Sequence, residues 1–137
     1  MTVRLIVDTS ALVAIIKAED GDAMMQAALV DEPAGLPAPA FVELNRVMAT
    51  IGNRPDARVQ ALVEAFGLQI LPFGPEDAAA AVVANEVFGS GNGRAGPLNM
   101  LDLMVYGVAR ATGLPILCTG KDFAATDADL HPASRRF

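Results

Sequence analysis

The sequence predicts one α/β domain over residues 1–137, in which a short parallel β-sheet of four to five strands is flanked by helices. Apolar segments of strand length alternate along the chain with longer segments of helical periodicity. Hydrophobic residues make up 53% of the chain, as expected for a sheet that helices cover on both faces. A length of 137 residues is typical of a single domain.

The predicted strands and helices follow one another in order. The first strand, Leu5 to Val7, leads into an apolar helical stretch that ends at Lys17. Further strands are expected at 36–38, 68–71 and 115–118, and further helices at 20–31, 39–51, 54–66, 75–88 and 98–112. Gly67 and Gly113 follow two of these helices, where glycine commonly ends a helix. Residues 126–133 can supply one more strand at the sheet edge.

Composition excludes several classes of function. The net charge of −6 repels a phosphate backbone and argues against a general nucleic-acid binder. Cys118 and His131 are the sole cysteine and histidine, which disfavours a zinc site and nucleophilic catalysis. No apolar run approaches the ~20 residues that cross a bilayer, so we expect a cytoplasmic protein with no membrane partner.

Four acidic residues are predicted to meet at one edge of the sheet. Asp8 ends the first strand, Glu43 lies just beyond the second, and Asp122 follows the last. Asp102 lies in the first turn of the helix after a glycine-rich loop. Ligands of open parallel sheets bind at the carboxyl ends of the strands, so this edge is the predicted site.

Three of these acids also have a purely structural explanation. Glu43 could pair with Arg46 on an exposed helix face. Asp102 could be one half of a capping box with Asn99. Asp122 could simply begin a loop.

Asp8 could likewise serve only to cap the first helix. Because the other acids reach the same edge, we expect Thr9 or Ser10 to cap this helix and the Asp8 carboxylate to bind an ion.

Carboxylates crowded on one edge repel one another unless they are protonated or bind cations. Mg²⁺ and Mn²⁺ prefer such oxygen ligands and are often held by one or two carboxylates together with a substrate phosphate. Metal ions of this kind activate water for hydrolysis of phosphodiester bonds. The predicted chemistry is therefore metal-dependent phosphodiester hydrolysis, in which the metal supplies the positive charge that the protein lacks.

At this point the chain resembles the PIN-domain ribonucleases and, within them, the VapC toxins of bacterial toxin-antitoxin pairs. The resemblance covers nearly the whole chain. It rests on the segment DTSALV at 8–13, on Glu43, on Leu98-Asn99 with Asp102, Tyr106 and Ala109, and on Thr119-Gly120 with Asp122-Phe123 and Thr126-Asp127.

The resemblance implies a Mg²⁺- or Mn²⁺-dependent endoribonuclease toxin that acts on RNA such as transfer RNA. It also implies a homodimer that is silenced by a cognate VapB-type antitoxin. Asp8 and Asp102 would be the principal metal ligands, and Glu43 would bind the metal directly or through water. Asp122 would complete the cluster or position the attacking water.

Four further residues are assigned supporting roles by the same resemblance. The hydroxyls of Ser10 and Thr119 would support the metal ligands, and Asp127 would replace or support Asp122. Arg94, in the loop at 89–97 that we expect to be mobile, would touch RNA phosphates.

One departure from the family pattern concerns Lys121, which stands where relatives often have Asn or Asp and could pair with the neighbouring Asp122. Two other functions remain open from the sequence. The first is a phosphoacceptor receiver domain, favoured by Thr119 and Lys121 after the last strand but not by the lone acid, Asp8, after the first strand. The second is a catalytically silent binding module of the same PIN fold.

Overall fold

The computed structural model describes residues 2–52 and 54–136. Its four strands form one parallel sheet in the order β3-β2-β1-β4. The strands are β1 Leu5–Val7, β2 Ala34–Pro37, β3 Gln69–Leu71 and β4 Ile116–Leu117. The helices are α1 Thr9–Ile16, α2 Asp22–Asp31, α3 Ala38–Ile51, α4 Pro55–Phe66, α5 Pro75–Phe88 and α6 Met100–Thr112, followed by a short 3₁₀ turn at Phe123–Ala125. The predicted fold class is confirmed.

Strand β1 is the centre of the sheet. Leu5 pairs with Ala34 of β2, and Ile6 pairs with Ile116 of β4. All three residues of β1 are fully buried, because helices cover both faces of the sheet. The carboxyl end of β1 is therefore held between two neighbouring strands.

The segment after β4 lies along its open edge. Leu130 forms a parallel bridge with Ile116, and Arg135 forms one with Thr119. The hydroxyl of Ser134 donates to the Ile116 carbonyl and accepts from the backbone N–H of Cys118. The chain after 126 thus lies at the expected edge, but among the described residues it pairs with this edge through isolated bridges rather than as the predicted strand, and the pairing extends two residues beyond 133.

Helices α5 and α6 pack against each other over much of their length. This packing depends on Gly107, where an added Cβ would lie 2.3 Å from the backbone carbonyl oxygen of Asp77. Real Cβ atoms do not approach so closely, so a side chain at this position would force the two helices apart. The packing fixes the position of α6, which carries Asp102.

Two local expectations differ from the structure. Strand β2 begins at Ala34 rather than at residue 36, because Ala34 and Gly35 pair with β1. The loop at 89–97 is tied down by a bridge between Ser90 and Ala95 and by a hydrogen bond from the Asn92 side chain to the Asn85 carbonyl. Among the described residues, no helix is long and apolar enough to span a membrane.

Candidate active site

Asp8 sits at the carboxyl end of β1 and is 6% exposed. It is the N-cap of α1, and its Oδ2 accepts hydrogen bonds from the backbone N–H of Ser10 at 3.1 Å and from the Ser10 hydroxyl at 2.6 Å. The expectation that Thr9 or Ser10 would cap this helix is wrong, because the helix already begins at Thr9 and the cap position is therefore Asp8. Capping fixes the Asp8 carboxylate in place rather than removing it from the site.

The two hydroxyl residues after Asp8 connect the site to its neighbours. The Ser10 hydroxyl accepts from the backbone N–H of Thr119, just beyond β4, at 3.0 Å. The Thr9 hydroxyl donates to the carbonyl of Ala40 in the first turn of α3 at 3.0 Å. Segments from three parts of the chain are therefore joined around Asp8.

Asp102 forms a capping box at the start of α6. Its Oδ2 accepts from the backbone N–H of Asn99 at 3.1 Å, and its own N–H donates to Asn99 Oδ1 at 2.9 Å. The structural explanation for Asp102 is thus correct, yet the same carboxylate also lines the acidic pocket. Asp102 has both roles.

The acidic pocket has a volume of about 320 Å³ and opens at the carboxyl edge of the sheet. Its lining includes four carboxylates and no basic side chain. The lining residues are Asp8, Thr9, Ser10, Val13, Glu19, Glu43, Val47, Asp102 and Thr119. The predicted convergence of Asp8, Glu43 and Asp102 is therefore present in the structure.

Two of the pocket carboxylates have raised pKa values, as expected where acidic side chains lie close together. Burial raises the pKa of Asp8, and the charge of Glu43 also raises it, whereas the hydrogen bonds from Ser10 lower it. Burial also raises the pKa of Asp102 to about 6, with added repulsion from Asp8, Asp122 and Glu43. Asp122 is exposed and outside the pocket lining, but its charge acts on Asp102. The charges of the other three predicted acids therefore all act on Asp102 at this edge.

The oxygen-rich lining suits a hard divalent cation. Within residues 2–52 and 54–136, no three acidic, histidine or cysteine side chains lie close enough to enclose a metal ion by themselves. A Mg²⁺ ion does not require such a cage, because it retains several waters and uses one or two carboxylates. Asp8 and Asp102 are the two carboxylates whose pKa values are raised by burial and repulsion, and a cation would relieve both effects.

Asp127 is outside the acidic pocket. One of its carboxylate oxygens accepts from the Tyr106 hydroxyl, and the other pairs with Arg110 at 2.9 Å. The guanidinium of Arg110 also lies over the Tyr106 ring, 5.2 Å from its centroid. In this structure, Asp127 therefore joins the end of the chain to α6 and does not stand beside Asp122 among the pocket acids.

The two cations singled out from the sequence have different surroundings. The Arg94 guanidinium donates to the carbonyl of Glu86 near the end of α5 at 2.9 Å, and Arg94 does not line the acidic pocket. Lys121 is exposed, and in the part of the chain that the structure describes it forms no ion pair with Asp122. The predicted pairing that would weaken Asp122 is absent there.

Glu19 lines the pocket, although the sequence does not predict it there. It follows α1, and its carboxylate lies 3.4 Å from the guanidinium of Arg135. Nothing in the local sequence marks Glu19 as a site residue, because its position depends on the turn between α1 and α2 and on a residue 116 positions away.

Comparisons with known proteins agree with this geometry. The family model of the PIN domain matches residues 5–129. Ribonuclease VapC42 of Mycobacterium tuberculosis is 36% identical over 132 residues, which cover 94% of this chain and 98% of that protein. Ribonuclease VapC36 of the same organism is 35% identical, with 93% of each chain covered.

A solved structure shows the same fold at lower identity. The sarcin-ricin loop cleaving toxin VapC20 of Mycobacterium tuberculosis superposes with a TM-score of 0.69 over 90% of this chain and 95% of that chain, at 16% identity. The acidic edge, the match to the family model and the nearly full-length similarity to VapC proteins agree with one another. The chain belongs to the PIN-domain family.

Proposed function

We propose that this protein is a VapC-type endoribonuclease that hydrolyses RNA phosphodiester bonds with Mg²⁺ or Mn²⁺. The observation that carries the proposal is the acidic pocket, where the buried carboxylate of Asp8 and the helix-capping carboxylate of Asp102 face the same space. The nearly full-length similarity to ribonucleases of the VapC group supports RNA as the substrate. Transfer RNA is one candidate substrate.

Each acid has a role that follows from its surroundings. Asp8 and Asp102 would hold the metal ion, since both are fixed by hydrogen bonds to a helix start. Glu43 lines the same pocket and would bind the ion directly or through a water. Asp122, exposed at the rim, would position the attacking water or complete the cluster.

The supporting hydroxyl network keeps Asp8 in one orientation. The Ser10 hydroxyl donates to Asp8 and accepts from Thr119, so rotation of the carboxylate would disrupt this chain of hydrogen bonds. When bound, the divalent ion would polarise the scissile phosphate and lower the pKa of a water molecule. Fixed ligands lower the reorganisation needed at the moment of reaction.

The proposal requires that cleavage depend on a divalent metal. We expect purified protein, freed of any bound antitoxin, to cleave total RNA in Mn²⁺ or Mg²⁺ and to lose this activity in chelator. Adding back excess Mn²⁺ should restore it, and the fragments should be resolved on a denaturing gel. Cleavage that persists unchanged in chelator would contradict the metal-dependent mechanism.

The different environments of Asp122 and Asp127 predict different effects on cleavage. We expect Asp122→Asn to lower kcat by about tenfold or more, as for a residue that positions water. Asp127→Asn should stay within about threefold of wild type, because its ion pair with Arg110 is exposed and contributes about 0–1 kcal/mol to stability. Steady-state cleavage of one labelled RNA measures both; the reverse order would assign the fourth acidic position to Asp127.

Partners and location follow from the similarity to VapC proteins. We infer that a VapB-type antitoxin silences the free enzyme in the cytoplasm and that the toxin forms a homodimer. Expression of the chain alone should then arrest bacterial growth, and a small protein encoded beside it should relieve the arrest. Size-exclusion chromatography of the purified toxin tests the dimer.

A further inference from the structure

The segment after β4 returns to the same sheet edge as the acids. The backbone N–H of His131 donates to the Ile116 carbonyl at 2.8 Å, and the N–H of Arg135 donates to the Cys118 carbonyl at 3.0 Å. Because this segment runs parallel to β4, its residues approach the carboxyl edge as the chain advances. Arg135 is opposite Thr119, which lines the acidic pocket.

Arg135 anchors this segment at the rim of the pocket. Its guanidinium donates to the Asp20 carbonyl at 2.6 Å and to the Glu19 carboxylate at 3.4 Å. Glu19 is itself a pocket residue. The backbone hydrogen bonds to the β4 segment and the side-chain hydrogen bonds to the turn after α1 therefore fix the position of the residue that follows Arg135.

That next residue is Arg136, which is exposed. Burial raises the pKa of the Cys118 thiol, and the negative charges of Asp8 and Asp102 raise it further. The positive charge of Arg136 lowers the same pKa. The cation and the two acids thus act on the same sulfur atom at the end of β4. Arg136 does not line the acidic pocket; together with Asp20, Met24 and Arg135 it lines a second pocket.

Lys121 stands on the neighbouring segment. It is two residues beyond Thr119, and Arg136 is one residue beyond Arg135, the residue that forms a bridge with Thr119. Both are exposed, and within residues 2–52 and 54–136 neither forms an ion pair. We name Lys121 and Arg136 the cationic edge.

We propose that the cationic edge binds a backbone phosphate of the RNA strand next to the phosphodiester bond that is cut. This inference rests on the proposed function. A protein of net charge −6 with four acids in its pocket repels the phosphates that flank the scissile bond, and the metal neutralises charge only at the reacting group. A guanidinium can bind a phosphate through two hydrogen bonds, and an ammonium adds a mobile point charge.

Interactions of this kind position the strand but do not read its bases. The cationic edge should therefore affect all RNA substrates of the enzyme alike. Removing its charges should weaken binding while leaving the chemical step intact, because neither side chain belongs to the acidic pocket.

The test compares Arg136→Ala, Arg136→Lys and the double variant Lys121→Ala/Arg136→Ala with wild type. Arg4→Ala is the matched control, because Arg4 is an exposed cation before β1 at the opposite edge of the sheet. The substrate is one fluorescein-labelled RNA that the wild-type enzyme cleaves, assayed in Mn²⁺ over a range of KCl concentrations. Thermal unfolding of each variant checks that the fold is retained.

We expect the double variant to raise KM by about tenfold or more with kcat within about twofold, since both substitutions remove charge-assisted hydrogen bonds to phosphate. The dependence of log(1/KM) on log salt should become less steep by about 0.7 for each phosphate that the variant no longer binds. Arg136→Lys should recover part of the affinity. Arg4→Ala should match wild type in KM and salt dependence.

Other outcomes overturn the inference. An unchanged KM and salt slope in a folded, active double variant removes the cationic edge from RNA binding and leaves the nuclease proposal intact. A double variant that cleaves normally but no longer binds its antitoxin would assign the surface to that protein instead. Failure of the wild type to cleave any RNA would overturn the proposed function and this inference with it.

Discussion

Asp8→Asn and Asp102→Asn are each expected to lower kcat/KM for RNA cleavage by about a hundredfold or more. A bound metal ion contributes several kcal/mol of transition-state stabilisation, and each 1.36 kcal/mol is tenfold in rate. Asparagine keeps the size of the side chain and an oxygen that accepts hydrogen bonds, so both helix caps can persist. Only the negative charge that attracts the metal is removed.

Asp77→Asn is the matched control for Asp102→Asn. Asp77 occupies the same position in the first turn of α5 and accepts a hydrogen bond from the backbone N–H of Gly74 at 2.7 Å. It caps a helix as Asp102 does, but it does not line the acidic pocket. We expect Asp77→Asn to cleave RNA at the wild-type rate.

The stability of the same variants separates catalysis from folding. Because the Asp8 carboxylate is buried and its pKa is raised, its removal should raise the thermal midpoint in chelator rather than lower it. A variant that is more stable and yet inactive identifies a functional carboxylate. Wild-type cleavage by both Asp8→Asn and Asp102→Asn would refute the assignment of the metal ligands.

The second large effect is the dependence of stability on pH and metal. The pKa of Asp102 is raised from 3.8 to about 6, so over this interval the folded protein holds a proton that the unfolded chain has lost. The contribution of this group to the free energy of unfolding therefore falls as pH rises from about 4 to about 6. The raised pKa of Asp8 acts in the same direction.

Metal binding should reverse this loss, because the ligands bind the ion only when they are deprotonated. In Mn²⁺ at about 100 times its Kd, the stabilisation is about 2.7 kcal/mol, or a rise of about 8 °C in the thermal midpoint at pH 7.5. The rise should be much smaller at pH 5. It should also be small in Asp8→Asn and Asp102→Asn at either pH.

Thermal unfolding from pH 4 to 8, in chelator and in Mn²⁺, measures these effects directly. Asp77→Asn again serves as the control and should keep the full metal response. A metal response of equal size at pH 5 and pH 7.5 would argue that the ion is not bound through these two carboxylates.

Membership of the PIN-domain family also decides between the functions that the sequence left open. The receiver-domain alternative does not fit a chain whose family match runs from 5 to 129. A catalytically silent module of the PIN fold differs from the proposed nuclease in one measurable respect, since its function would survive Asp8→Asn.

Most of the fold can be predicted from local sequence. The sequence predicts helix α5 at its observed bounds, Pro75 to Phe88, because a proline near its start and the following glycine mark its ends. The capping box of Asn99 and Asp102 is likewise predictable, since its two residues are three positions apart. Alternation of strands and helices is enough to bring Asp8, Glu43 and Asp102 to one edge, because parallel connections return the chain in the same direction.

The remaining features depend on interactions between distant residues. The Ser10 hydroxyl accepts a hydrogen bond from the backbone N–H of Thr119, 109 positions away, and this contact helps to fix the carboxylate of Asp8, the residue that caps α1. Asp127 is held by Tyr106 and Arg110, which no spacing in the sequence indicates.

By itself, the sequence determined the α/β class, the order of the elements and the edge at which the acids meet, because these follow from hydrophobic periodicity and the direction of parallel strands. Only the tertiary structure decided which acids share the pocket, how Asp8 is fixed, and that Glu19 lines the same pocket. Those outcomes depend on hydrogen bonds between residues that are far apart in the sequence. Such contacts form only when the chain has folded, so local sequence patterns do not predict them.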